Sequence, residues 1–139
     1  MNENTESPAE LHSDHRRWQS DISMWDFDIE QWRSELSKAL DDLDQIAAML
    51  RHHKKNISEH ADVIETMEAA LEFHEKNLAA SLNGCVDSDL DDALRASHSI
   101  EAKKIVMQRE SHERIKKHHH IAMASVAMLK NALSTPPTR

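Results

Sequence analysis

Six of the chain's eleven histidines fall at positions where helical periodicity would bury them. His53, His60 and His74 share one heptad position, with Met67 in the missing turn, and His98, His112 and His119 recur with the same spacing further along. Neutral imidazole is a good ligand for Zn, Cu, Ni or Fe, and facing helices of a bundle build metal sites from such pairs. The same rings could instead bond to each other, to backbone or to water, and serve only to set register. Either way a buried imidazole needs a partner, because an unpaired polar group in a core is costly.

Other metal signatures are absent. No glutamate has a histidine three residues later, as ferritin-like di-iron bundles require, and the zincin pattern His-Glu-x-x-His does not occur. Met24, Met49, Met107, Met123 and Met128 suit core filling. Glu101, three residues after His98, could add one carboxylate, and His12 with His15 forms a weaker pair near the N-terminus. Haem between facing histidines is a third option, with little room beside Ile57, Ile64 and Ile115. No nucleophile–base set or phosphate loop stands out, so an enzyme is expected only if a metal layer opens to solvent.

A further constellation is "RHHKK" at 51–55 with "KKHHH" at 116–120, a basic belt that could attract anions more strongly at low pH. A solvated helix face is the simpler explanation, with His118 and His120 pointing outward. Trp18, Trp25 and Trp32, all the tryptophans of the chain, stand at heptad intervals and suit an association surface.

The elements that must position these residues are helices. One glycine and three prolines in 139 residues leave little material for the turns of a β fold. From Trp18 apolar residues step by four and three through Ile22, Ile29, Leu36, Leu43, Ile46 and Leu50, and the phase continues through the histidines to Leu78. A second series runs through Leu94, His98, Ala102, Ile105, His112, Ile115, His119, Ala122 and on to Leu133. Between them lies Gly84, suited to a left-handed C-cap, with Asp87 or Ser88 as the next N-cap.

The expected fold is all-α: a long antiparallel helical hairpin, with helices at about 14–83 and 88–134 and a loop at 84–87, assembling into a dimeric four-helix bundle. Residues 1–12 are expected as a disordered leader and 135–139 as a disordered tail. The hairpin register pairs His74 with His98, Met67 with Ile105, His60 with His112, and His53 with His119. The first helix would be about 105 Å long at 1.5 Å per residue, so its tryptophan arm would overhang its partner and need a second chain. The alternative is a three-helix bundle with a break near Asn56, where Asn56 would C-cap one helix and Ser58 N-cap the next.

Residues 1–50 carry twelve Asp/Glu against four Lys/Arg, while residues 51–139 carry thirteen of each. An acidic arm on a neutral body argues against nucleic acid as a partner. One cysteine, Cys85, excludes an internal disulfide, and no apolar run reaches transmembrane length. The expectation is a cytoplasmic homodimer that binds transition metal through its paired core histidines. The alternative is a structural or interaction module whose buried histidines confer pH sensitivity, and the third is a haem-binding bundle.

Overall fold

The computed structural model describes residues 6–84, 88–134 and 136–137. Among them are two α-helices and no strand: α1, Pro8–Asn83 (76 residues), and α2, Ser88–Ser134 (47 residues). The protein is all-α.

α1 begins at Pro8, so residues 8–12 belong to the helix and not to a disordered leader. Its start is a reciprocal capping box. The Ser7 N–H donates to Glu10 Oε2, and the Glu10 N–H donates to Ser7 Oγ, each at 3.2 Å. Pro8 fills the first helical position, where its missing N–H costs nothing and its fixed φ already suits the helix.

The helix then passes through Asn56 without interruption, so the break considered there is absent. Ser58 shows why. Its hydroxyl donates to the Lys54 carbonyl at 3.1 Å, the back-bond of a serine inside a helix, and caps nothing. Thr66 to Asp62 and Ser125 to Ile121 repeat the arrangement.

Gly84 ends α1 without the expected left-handed conformation, since no glycine has positive φ. A methyl group at Gly84 would lie 3.2 Å from the Ala80 carbonyl oxygen, a contact that a shift of a few tenths of an ångström would relieve. Cys85 and the Asp87 cap lie outside the described residues.

The chain divides into two compact units, Met1–Leu50 and Arg51–Arg139. From Pro8 onward the first is part of α1 alone. Arg17 pairs with Asp14 and Arg33 with Glu30 along its surface, and Trp18, Trp25 and Trp32 are 53%, 57% and 58% exposed. In the second, residues of α1 and α2 meet along a seam. Met67 and Ala70 on α1, and Leu94, Ile115 and Ala122 on α2, are partly buried.

The α2 seam also takes Glu101 and Gln108, both partly buried, while Ala102 is exposed. Steps of three and four from His98 lead to Glu101, Ile105, Gln108 and His112, so helical phase sets the seam and polarity does not. Among the described residues no apolar side chain is fully buried. The only buried ones among the described residues are His53 and His74, at 8% exposure each.

Candidate functional site

All three expected histidine pairs meet. His53 Nε2 lies 3.2 Å from His119 Nδ1, and His60 Nε2 lies 3.1 Å from His112 Nδ1. His74 stacks on His98 with ring centroids 5.8 Å apart and planes inclined by 27°. In the first two pairs one ring donates its N–H to the lone pair of the other, an arrangement open to two neutral imidazoles.

The pairs sit in different surroundings. His53 is buried and also meets the edge of His118, with centroids 4.7 Å apart at 74°. Desolvation, then the charges of His118 and His119, hold its pKa below the usual 6.5. The basic belt lies at this height. Within it Lys55 reaches Glu59 at 3.9 Å, and Arg114, Lys116, Lys117 and His120 line a shallow, open surface depression with Glu113. His118 and His120 are exposed as expected, although His118 also leans on His53.

The middle pair, which its central place would make the driest, is the more open one: His60 is partly buried and His112 is exposed. His112 lies at the edge of an apolar groove of about 430 Å³ built on Ile64, Met67, Leu71 and Ile105. Two helices cannot enclose a seam residue on both flanks, and this flank is uncovered. Glu68, Arg109 and Glu113 stand on the same groove, and none of the three forms an ion pair among the described residues. The third pair borders another groove, of about 390 Å³, with Leu78, Leu94, Asp91 and Arg95.

Among the described residues no three His, Cys, Asp or Glu side chains converge closely enough to hold a metal ion within one chain. Glu101, a possible companion of His98, lies instead 3.7 Å from Lys104. His15 rests beside Trp18, with ring centroids 5.4 Å apart. Apolar counting overlooked Gln108 altogether and took Glu101 only as a companion of His98, not as a seam residue; an unbroken three-four phase was the signal that would have placed both.

No family model, curated protein or solved structure matches this chain. Among the described residues no helix is long and apolar enough to cross a membrane.

Proposed function

We propose that this chain is a self-assembling helical module, an antiparallel hairpin that pairs with a second copy to form a four-helix core. One observation carries this reading. A compact monomer of 15.9 kDa exposes about 7,300 Å² by the usual scaling of surface with mass, whereas this chain exposes 12439 Å². The excess on this one chain is roughly six times the ~800 Å² that a standard protein interface buries on each partner.

The uncovered surface includes the tryptophan stripe and the groove beside His112, so both are assigned to the interface between copies. Arg109 beside Glu68 and Glu113 suits a two-fold contact, since each copy offers both signs of charge. The histidine pairs set the register of the hairpin. A shift of one heptad would leave at least one seam imidazole opposite an apolar side chain, which costs a hydrogen bond. Direct ring-to-ring contact at 3.1 Å and 3.2 Å also leaves no space for a porphyrin between the rings, which disfavours haem.

Light scattering on the full-length, metal-free protein at micromolar concentration tests the reading. The expected mass is twice 15.9 kDa. A monomer at that concentration overturns it.

A further inference from the structure

Resting on the dimer reading, we infer that His60 and His112 form half of a transition-metal site, which the same two residues of the second copy complete as a four-imidazole layer. Three features single out this pair. The facing nitrogens are 3.1 Å apart. Two nitrogens bound to one tetrahedral zinc at 2.0–2.1 Å stand about 3.3–3.4 Å apart, so the pair already has nearly the spacing of a two-toothed chelate, and both rings need only turn their lone pairs from each other toward the ion. The pair is also the more open of the two hydrogen-bonded pairs, with His112 on the uncovered groove where a second copy would lie. Finally, its groove carries two carboxylates against one arginine, a net negative setting that tolerates a dication.

The other pairs lack one of these features. His53 and His119 lie within the basic belt, where Lys54, Lys55, Lys116 and Lys117 repel a cation and His53 is buried. His74 and His98 stack and are not joined nitrogen to nitrogen.

The proton balance is simple. In the free pair one facing nitrogen carries hydrogen and the other offers its lone pair. Binding needs both lone pairs, so the donor ring moves its proton to its outer nitrogen through solvent, and no net proton is released from neutral rings. Four nitrogens from two copies then meet the tetrahedral preference of Zn²⁺ or Co²⁺.

The test uses full-length protein without an affinity tag, stripped with a chelator and titrated with Co²⁺ and then Zn²⁺. Calorimetry, visible absorption and light scattering are read together. The expected result is one ion per two chains, with the intense visible bands of tetrahedral Co²⁺ that Zn²⁺ bleaches. His60→Leu with His112→Leu should abolish that binding, and His53→Leu with His119→Leu should retain it. Should the first double variant lose helicity, His112→Gln supplies the same reading with a polar side chain in place.

A pale octahedral spectrum, one ion per chain, or unchanged binding in the His60/His112 variant overturns the site. A metal-free dimer that binds neither ion also overturns the site and leaves the dimer reading standing. A monomer that becomes a dimer only on adding Co²⁺ or Zn²⁺ supports the site and overturns dimerisation as an intrinsic property.

Discussion

Two imidazoles joined by one N–H···N bond can accept a first proton on an outer nitrogen and keep the bond. A second proton makes both rings donors and breaks it. For His53 the direction is set: its pKa is lowered by desolvation and by His118 and His119, which face it from α2, with His52 and Lys54 beside it on α1. A histidine whose folded pKa is depressed binds more protons when unfolded, so the stability it supports is present above the unfolded value of about 6.5 and is lost as pH falls through the folded value. Thermal denaturation from pH 7.5 to 5 should therefore show Tm falling below about pH 6.5, and His53→Gln should flatten the profile. A profile already flat in the unaltered protein would mean that His53 does not titrate differently on folding. At the middle pair, His60→Leu with His112→Leu should raise the Tm of metal-free protein, because two polar rings become seam leucines. Each kcal/mol gained is worth roughly 4 °C in a chain of this size. A lowered Tm would show that the ring-to-ring bond stabilises more than apolar packing would.

At the scale of the element, the start of α1 gives the sharpest prediction. Ser7→Ala removes one side of the capping box and should cost about 1 kcal/mol of local stability, seen as faster amide exchange at residues 9–12. Unchanged exchange there would mean that the cap contributes nothing. The pattern Ser7-Pro8-Ala9-Glu10 was readable as a capping box with proline at the first helical position. Polar composition around it suggested disorder instead, and two local hydrogen bonds outweigh composition. The helical class, the end of α2 at Ser134 and the meeting of all three histidine pairs were legible because heptad spacing survives polar substitution. Gln108, and the seam position of Glu101, were missed by following apolar character in place of phase. The openness of His112 could not be read from position along a seam, because exposure depends on how many helices flank it.

For the whole molecule, the tryptophan stripe bears on assembly. Deleting residues 1–37 should weaken the dimer, raising the concentration at which it dissociates, and tryptophan emission of the intact protein should shift to the blue as concentration rises through that point. Emission independent of concentration would show that Trp18, Trp25 and Trp32 stay in water, and would move the interface to the groove beside His112 alone. The histidine pairs recur at heptad intervals, with Ile57 and Ile115 between the first two and Met67 and Ile105 between the last two. The first two pairs lie about 10 Å apart along the helix axis and the last two about 21 Å apart, both beyond the reach of a hydrogen bond. The column is therefore not a conductor. Among the described residues no hydrogen-bonded chain within the seam joins one pair to the next, so each pair is a separate cell.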